Sequence, residues 1–343
     1  MTMKLNWIAA ACVLFAGAAA QAGEHAPALI VTASNAATNQ LLVYDTAGHL
    51  LDTIPTQGQG GVGGNAGGIA YAQGRLAVVN HGSSNVTVFD RSEGANRFQI
   101  EHVIPTQGQP VSVAFGAGHL YVLTGTQVES HAIDGGEVRT TADGSTPLLH
   151  ADGSAAQVGV IRGQLIVTEK SNAIESVALD GRGAVAGPAT SVAAIPANVN
   201  VPLGLATRGD EAYVTIAHAN ETSLVRGDTV LTTTGSGTQN APCWLALDGP
   251  FLYSANSPSM SVSRYAVYGR QIVQDAAVAA SFNGKPTDLS YRAGLLAAID
   301  SNGTASHVSV FGVDEDGNLT LKATATVNLP SINGVAVVTG ERD

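Results

Sequence analysis

Three ionisable side chains at the ends of predicted strands have the chemistry that hydrolysis requires. Glu169 and Asp300 end two apolar stretches, and His218 follows a third. A carboxylate or an imidazole can take a proton from water as a general base, and polar neighbours can stabilise the oxyanion that develops. We therefore predict Glu169, Asp300 and His218 as candidate catalytic residues. The alternative is that His218 is an exposed loop residue and that Asp300 caps a turn.

A second set of polar residues lies either just before one predicted strand or at the end of the strand that follows it. Their amide, imidazole and ammonium groups could hold a sugar-like, lactone or amide ligand through hydrogen bonds. The candidate ligand-binding residues are Asn80, His81, Lys170, Asn240, Asn256 and Lys285. Asn after a strand is also a common turn former, which is the competing interpretation. Adjacent side chains at a strand end point to opposite sides, so Glu169 and Lys170 cannot both face one site, and a solvated ion pair is the alternative for them.

Several other chemistries lack their motifs. The sequence contains no Gly-x-Ser-x-Gly, no His-Glu-x-x-His, no Walker loop and no Cys-x-x-Cys-His. The glycine-rich stretch 60–68 precedes a strand rather than a helix, so it predicts a close-packed loop and not a phosphate site. Residues 314–318 (DEDGN) resemble part of a calcium loop but fit a hairpin turn better. We expect no metal and no cofactor.

These residues belong to a unit that recurs along the chain. Each unit has a small-residue strand, a turn, an apolar strand, a Ser- and Asn-rich turn and a third alternating strand. One apolar residue of the first strand serves as an anchor, and the anchors recur every 40–47 residues. They are Ile69, Val113, Val158, Leu205, Leu245, Leu289 and Val335. The hexapeptide IPTQGQ also occurs twice, at 54–59 and 104–109.

Units of this length with four strands each predict propeller blades. Six units are complete. Three further strands are predicted at 28–34, 40–46 and 50–56, and the strand missing from that set lies at 332–338. We predict an all-β, seven-bladed β-propeller with four antiparallel strands per blade, closed by N- and C-terminal strands that share one blade. A pair of β-sandwiches is the alternative, but it does not explain the constant spacing.

The predicted architecture also predicts where a site would be. First strands line the central channel of a propeller, and the loops before them share one face with the loops after the second strands. We therefore expect the candidate residues to converge near the axis on that face. Cys243 and Trp244 begin a first strand, which predicts a buried thiol and a packed indole.

Composition limits the kinds of partner. The chain has 40 glycines among 343 residues, only 13 % charged residues and a net charge of −11. It has no basic run, so binding to nucleic acid is not expected. We expect a small-molecule ligand or a protein partner at the channel face, and no stable insertion into a membrane once the leader is removed.

The first 22 residues have the features of a secretion signal. Lys4 precedes a short apolar stretch at 7–20, and Ala20-Gln21-Ala22 fits a cleavage site. An N-terminal anchor helix is the alternative. We predict a signal peptide at 1–22, one propeller domain at 23–343 and a periplasmic or secreted location. Cys243 is then the one cysteine of the mature chain, so no internal disulfide is expected.

Three segments resemble a known family: 165–183, 238–267 and 285–290. They are similar to the lactonase family of seven-bladed propellers, which includes 6-phosphogluconolactonase and carboxymuconate cyclase, and above all to its exported bacterial branch. The resemblance implies the propeller fold over residues 28–338 and an activity on lactones. When the blades are aligned, the family's catalytic His falls on Ala156, and its Arg-His pair falls on Leu203 and Gly204. Its catalytic Glu falls on Ile216 or His218, and its further Arg falls near Ser257. The usual residues are therefore not retained.

Two functions remain in competition. The first is lactonase-like hydrolysis, or cyclase-like chemistry, on a small neutral lactone, with Glu169, Asp300 or His218 as the base. The second is a non-catalytic propeller, in the periplasm or outside the cell, that binds a ligand or protein across its polar channel face. Two ionisable groups at one enclosed cavity would favour catalysis, and a flat neutral face would favour binding.

Overall fold

The computed structural model describes residues 27–64, 67–91, 97–192 and 201–340. Within these ranges, alternating apolar and polar residues form β-strands separated by glycine-containing turns, as the repeat predicts. The two short 3₁₀ turns are His81–Ser83 and Ala217–Ala219. The predicted signal peptide at 1–22 lies outside the described residues.

The strands follow one another in chain order with short connections. The first eleven strands are β1 (Leu29–Ala33), β2 (Gln40–Asp45), β3 (Leu50–Pro55), β4 (Ile69–Ala72), β5 (Arg75–Asn80), β6 (Asn85–Arg91), β7 (Phe98–Pro105), β8 (Pro110–Gly116), β9 (His119–Thr124), β10 (Gln127–Asp134) and β11 (Glu137–Val138). The next nine are β12 (Gly144–Pro147), β13 (Ala155–Ile161), β14 (Gln164–Glu169), β15 (Ala173–Leu179), β16 (Val185–Ser191), β17 (Pro202–Arg208), β18 (Glu211–Ile216), β19 (Glu221–Arg226) and β20 (Thr229–Gly235). The last nine are β21 (Pro242–Asp248), β22 (Phe251–Asn256), β23 (Ser261–Tyr268), β24 (Gln271–Ser281), β25 (Lys285–Arg292), β26 (Leu295–Ser301), β27 (Ser306–Val313), β28 (Leu319–Val327) and β29 (Asn333–Val338).

These strands form seven antiparallel sheets, which confirms the seven-bladed β-propeller. Blade I has the order β29-β1-β2-β3, so its innermost strand comes from the C-terminal end of the chain. Blades II to VII begin with β4, β8, β13, β17, β21 and β25, and each runs outward from its first strand. The predicted sharing of one blade between the two ends of the chain is therefore confirmed.

Blade III departs from the simple repeat. Its outermost position holds two short strands, because β11 pairs with the end of β10 and β12 pairs with the beginning of β10. The sequence predicted one variable fourth strand per unit, and here that strand is divided by a turn.

Apolar side chains from facing blades fill the spaces between the sheets. Cys243 and Trp244 are 7 % and 4 % exposed, which confirms the buried thiol and the packed indole. Burial raises the pKa of the Cys243 thiol to about 12, so it stays protonated. Residues 314–318 form the predicted turn between β27 and β28, in which the Asp314 side chain accepts the amide of Asn318.

Candidate functional site

A cavity of about 410 Å³ extends along the innermost strands. Its lining runs from Gly67 and Asp288, where these strands begin, to Ala72 and Arg292, where they end. It is therefore part of the central channel, and residues of β4, β8, β13, β17, β25 and β29 contribute to its wall.

Small residues leave room for this cavity. The residue after each anchor has a short side chain or none, in every blade. These residues are Ala70, Ala114, Gly159, Ala206, Ala246, Ser290 and Ala336. Because seven strands approach one axis here, larger side chains at all seven positions would compete for the same space.

In most blades, the residue before the anchor lies at a β-bulge. Register shifts occur at this point in β8, β13, β17, β21 and β25, and opposite β29 in its pairing with β1. A bulge changes the direction of a side chain relative to regular strand alternation. We call the residues before the anchors the bulge ring: Gly68, Ser112, Gln157, Gly204, Trp244, Asp288 and Gly334.

Three side chains of the bulge ring bind the next blade. The Val158 amide donates to Ser112 Oγ at 3.3 Å, and the Leu205 amide donates to Gln157 Oε1 at 2.8 Å. The Val335 amide donates in the same way to Asp288 Oδ2, at 3.3 Å. Innermost strands have no further strand on the channel side, so these side chains satisfy backbone amides that would otherwise lack a partner.

Asp288 is the one carboxylic acid of the bulge ring. Its Oδ1 accepts the Leu289 amide at 2.9 Å, and its Oδ2 also lies 3.4 Å from the Gly67 amide of blade II. Burial raises the pKa of Asp288 to about 7, although the three backbone amides lower it. Near neutral pH this carboxyl group can therefore both give and take a proton.

The other polar ring members converge near Gly67. A Cβ atom added to Gly67 would lie 2.7 Å from Ser112 Oγ and 3.3 Å from Gln157 Nε2. A carboxyl group, a hydroxyl group and a carboxamide from three blades therefore surround the same glycine. The polar side chains of the bulge ring come together at this point, and it is our candidate functional site.

Two buried donors near this end of the channel have no hydrogen-bond partner among the described residues. They are Asn333 Nδ2 and Trp244 Nε1. The Asn333 amide packs directly against Gly68 of the bulge ring. Neither residue lines the cavity, so these donors are buried beside the channel rather than exposed to it.

Glu169 lies inside blade IV, away from the cavity lining. Ser154 Oγ donates to its Oε2 at 3.1 Å, and its Oε1 has no partner among the described residues. Burial, and then the charge of nearby Glu175, raise the pKa of Glu169 to about 8. Glu175 itself accepts the backbone amides of Leu149 and His150, both at 3.0 Å. Glu169 and Glu175 thus fix the loop between blades III and IV through these hydrogen bonds.

Glu169 should make the protein less stable as the pH rises. Its pKa is raised in the folded state, so the folded protein keeps a proton that the unfolded chain loses, and stability falls between about pH 4.5 and about pH 8. Glu169→Gln keeps the neutral shape, and we expect it to be more stable than wild type at about pH 8.5 by at least about 1 kcal/mol and similar at about pH 4. Urea unfolding at both pH values measures this, with exposed Glu315→Gln as the control. An equal stability difference at the two pH values would contradict it.

Asp300 and His218 also lie outside the cavity lining. Asp300 is buried at the end of β26 and lies 2.8 Å from Nδ1 of His307 on the neighbouring strand. Burial raises its pKa, while His307 lowers it. His218 is exposed in the short 3₁₀ turn after β18. Their catalytic roles stay predictions.

Asn80 and Asn256 are buried centres of hydrogen bonding: Asn80 connects blade II to blade I, and Asn256 bonds within blade VI. Asn80 Oδ1 accepts from Asn39 at 2.9 Å and from Thr56 at 2.6 Å, while its Nδ2 donates to Thr87 at 2.8 Å. Asn256 Nδ2 donates to Ser263 at 2.8 Å. These bonds are all to other side chains, so they differ both from the backbone bonds of a turn former and from an open ligand site.

The repeated IPTQGQ segment explains why these side chains are covered. Its glycine, Gly58 in the first copy and Gly108 in the second, lies against Asn80 and Thr124 respectively. Gly284 lies against Asp300 in the same way. In blades II, III and VII, the loop before the first strand therefore covers the end of the second strand, and a Cβ would collide at Gly58 and Gly284.

The remaining predicted ligand-binding residues surround the channel mouth without lining the cavity. His81 Nδ1 lies 3.1 Å from the carbonyl oxygen of Pro110. Lys170 is half-buried, and burial lowers its pKa. Asn240 and Lys285 are exposed. The bulge-ring side chains that do line the cavity are Gln157 and Asp288, which the sequence could have indicated as polar residues directly before the anchors.

The positions onto which the family's catalytic residues were carried are apolar. Ala156 and Leu203 pack in one buried cluster with Cys243 and Trp244, and Gly204 lies against the backbone of Cys243. Ile216 is buried in a neighbouring cluster. This side of the channel is therefore closed by packing, whereas the polar groups lie on the side of Asp288.

The described residues contain neither a candidate metal site nor a helix that could span a membrane. Within residues 27–64, 67–91, 97–192 and 201–340, no group of three or more His, Cys, Asp or Glu side chains could hold a metal ion. In the same part of the chain, no helix is long and apolar enough to cross a membrane.

Comparison with solved structures places the fold among known propellers. A functionally unknown protein from Desulfotomaculum acetoxidans superposes with a TM-score of 0.68 at 12 % identity, covering 91 % of this chain and 98 % of the other. A candidate 6-phosphogluconolactonase from Bacteroides fragilis gives a TM-score of 0.64 at 14 % identity, covering 91 % and 98 %. This chain has their propeller fold. No family model and no curated protein matches it, and identities this low establish the fold alone.

A third similar structure makes the same point. A protein from Lactobacillus plantarum superposes with a TM-score of 0.67 at 16 % identity, over 91 % of this chain and 99 % of the other. The solved structures with this fold thus include one described as a candidate 6-phosphogluconolactonase, at 14 % identity. The activity of this chain has to be argued from its own residues.

Proposed function

We propose that this propeller binds a small neutral molecule in its central channel, with Asp288 as the principal hydrogen-bonding group. The observation that carries the proposal is that Asp288 and Gln157 line the same end of the channel cavity, with the buried Ser112 hydroxyl close to Gly67 beside them. The cavity volume of about 410 Å³ suits a small ligand. Side chains such as Val113 and Leu289 line the cavity but are themselves buried, so most of the surface open to a ligand is polar.

The same residues support lactone hydrolysis as a second candidate. Asp288 in its charged form would accept a proton from water while the water oxygen bonds to the lactone carbonyl carbon. The ring C–O bond then breaks, the ring oxygen takes up the proton, and the product is an open-chain hydroxy acid. Ser112 Oγ and Gln157 Nε2 are the polar groups nearest Gly67 that could donate to the developing oxyanion. The printed description of the Bacteroides fragilis neighbour favours lactones as the class to test.

Binding is tested first, without assuming catalysis. Isothermal titration of wild-type protein with a panel of γ- and δ-lactones and short diols should detect binding of at least one compound. Asp288→Asn keeps the side-chain volume, removes the charge and should weaken that binding about ten-fold or more, because hydrogen bonds to a charged group are strong. The control is Asp228→Asn, which removes one charge from an exposed turn. An equal effect of both variants, or no binding to wild type, would reject the proposal.

Hydrolysis is tested separately by pH-stat on the same lactones. If Asp288 is the base, the rate rises with pH to a plateau with an apparent pKa near 7, and Asp288→Asn lowers the rate by roughly 10²–10⁴. Glu169→Gln and Asp300→Asn test the catalytic residues predicted from the sequence. Loss of activity in either of these, with Asp288→Asn active, would move the active site into the blades. Binding without proton release would support the non-catalytic function.

A further inference from the structure

Gln157 presents a hydrogen-bond donor of fixed orientation to the channel. Its Oε1 accepts the Leu205 amide at 2.8 Å. A backbone amide is a donor, so the oxygen of the carboxamide must face it and the Nε2 group must point away. Gln157 lines the cavity, and its Nε2 makes no hydrogen bond to another of the described residues. The two N–H groups of Nε2 can therefore donate to a carbonyl oxygen of a ligand.

Asp288 has an acceptor position that its contacts with the backbone leave open. A carboxylate offers about four lone-pair positions, two on each oxygen. Its Oδ2 accepts the amides of Val335 and Gly67, at 3.3 Å and 3.4 Å, whereas its Oδ1 accepts the Leu289 amide alone, at 2.9 Å, among the described residues. Asp288 also lines the cavity. An N–H or O–H group of a ligand can therefore donate to the second position on Oδ1.

The donor and the acceptor both lie against Gly67. Asp288 Oδ2 lies 3.4 Å from the Gly67 amide nitrogen, and a Cβ atom on Gly67 would lie 3.3 Å from Gln157 Nε2. Because Gly67 has no side chain, the space beside these two groups is not filled from this residue. A small ligand that contacts both groups must carry its own donor and acceptor close together on one edge.

This requirement separates neutral ligands by their geometry. An open-chain secondary amide is trans, so its N–H group and its carbonyl oxygen point to opposite edges. The cis form is costly in an open chain, but a six-membered ring enforces it and places both groups on one edge. A lactone or a ring ketone has the carbonyl oxygen without the N–H group, so it leaves the open position on Asp288 without a donor.

We propose that a cyclic amide anchors the channel ligand, with its carbonyl oxygen accepting from Gln157 Nε2 and its N–H group donating to Asp288 Oδ1. This inference rests on the proposed binding function, keeps the ligand neutral and specifies its chemical class. A hydrogen bond to a charged carboxylate is stronger than one between neutral groups, so the N–H contact should dominate the selection. Gln157 and Asp288 belong to blades IV and VII, so the ligand would connect two blades across the channel.

The experiment is titration calorimetry at about pH 8.5, where Asp288 is ionised, with three neutral probes of similar size. The probes are δ-valerolactam, cyclohexanone and an open-chain secondary amide with five carbons. Wild-type protein should bind the lactam about ten-fold or more tightly than either other probe. Cyclohexanone has the same ring size and a carbonyl group but no N–H group, and it is not hydrolysed, so the comparison measures the contact with Asp288.

Two variants test the two contacts separately. Asp288→Asn removes the charge and should reduce the preference for the lactam over cyclohexanone. Gln157→Glu keeps an oxygen for the Leu205 amide but replaces the donor with an acceptor, so the affinity for both of these probes should fall about ten-fold or more. Gln271→Glu places the same charge at the exposed start of β24 and should have no effect. Melting curves check that each variant is folded.

The outcomes separate this inference from the proposed function. Equal binding of the lactam and cyclohexanone to wild type, or an unchanged preference in Asp288→Asn, would overturn the cyclic amide and leave the channel site in place. Equal binding of the lactam and the open-chain amide would overturn the requirement for one edge, and with it the cyclic amide. Binding of none of these probes and none of the lactones or diols would overturn both proposals.

Discussion

Removal of residues 331–343 should leave no stable folded monomer. These residues include β29, whose six residues are buried and which forms the innermost strand of blade I against β1. Val335, Val337 and Val338 alone are worth about 1.5–3 kcal/mol each on burial. That loss is comparable to the roughly 5–15 kcal/mol that stabilises a folded protein. Loss of β29 also removes the amides bound by Asp288 and Ser290, so blade VII loses its neighbour at the same time.

The truncated chain should also associate. The channel-side edge of β1 would lose its partner strand, and an unpaired edge rich in apolar residues pairs with other chains. Size-exclusion chromatography and thermal melting of the truncated chain and the full chain measure the effect. A chain lacking only residues 341–343, which follow the strand, is the control. A monomeric truncated protein with the wild-type melting temperature would show that ring closure does not stabilise this propeller.

The second large effect is expected from Gly204→Ala, which adds a single methyl group. A Cβ atom there would collide with the Cys243 carbonyl oxygen and would lie 2.6 Å from Trp244 Cα. Both are backbone atoms of blade VI, so a side chain cannot simply rotate away. Thr215 Oγ1 of β18 already connects the same two blades, since it donates to the Cys243 carbonyl oxygen at 3.0 Å. Blades V and VI must therefore move apart along the channel.

Gly204→Ala should destabilise the protein by about 1–3 kcal/mol or more, which is typical of overpacking a core. The melting temperature should fall by several degrees, since about 1 kcal/mol shifts the midpoint by about 2–4 °C in a domain of moderate size. Gly187→Ala in β16 is the control, because its added Cβ would meet Ala178 at an ordinary 3.9 Å. Two variants of equal stability would mean that the blades are not packed closely at Gly204.

Much of the fold could be predicted because the repeat is expressed in local patterns. Strict alternation of apolar and polar residues reports which side of a strand is buried, and each turn carries its own glycine or asparagine. The spacing of anchors such as Ile69 and Val335 then specified seven blades and the shared blade. The division of the fourth strand in blade III was not predictable, because β11 and β12 are too short to carry a period.

The functional site could be predicted less well. Glu169, Asp300 and Asn80 were chosen because they end strands, and strand ends in a propeller lie near one face. In the structure, the preceding loop of each blade covers them, with Gly58 or Gly284 in close contact. A polar residue at a strand end serves equally well as a ligand contact or as a buried partner for the loop, and composition alone does not distinguish the two.

The sequence by itself determined the class of fold, the number of blades and the joining of the two chain ends, because these depend on periodic burial of backbone strands. Only the tertiary structure decided which polar side chains reach the channel. Gln157 and Asp288 reach it because bulges turn their strands at the point where blades meet and because the next blade offers an unpaired amide, as it also does to the buried Ser112. Those contacts join residues about 45 positions apart, and they exist only once the ring has closed.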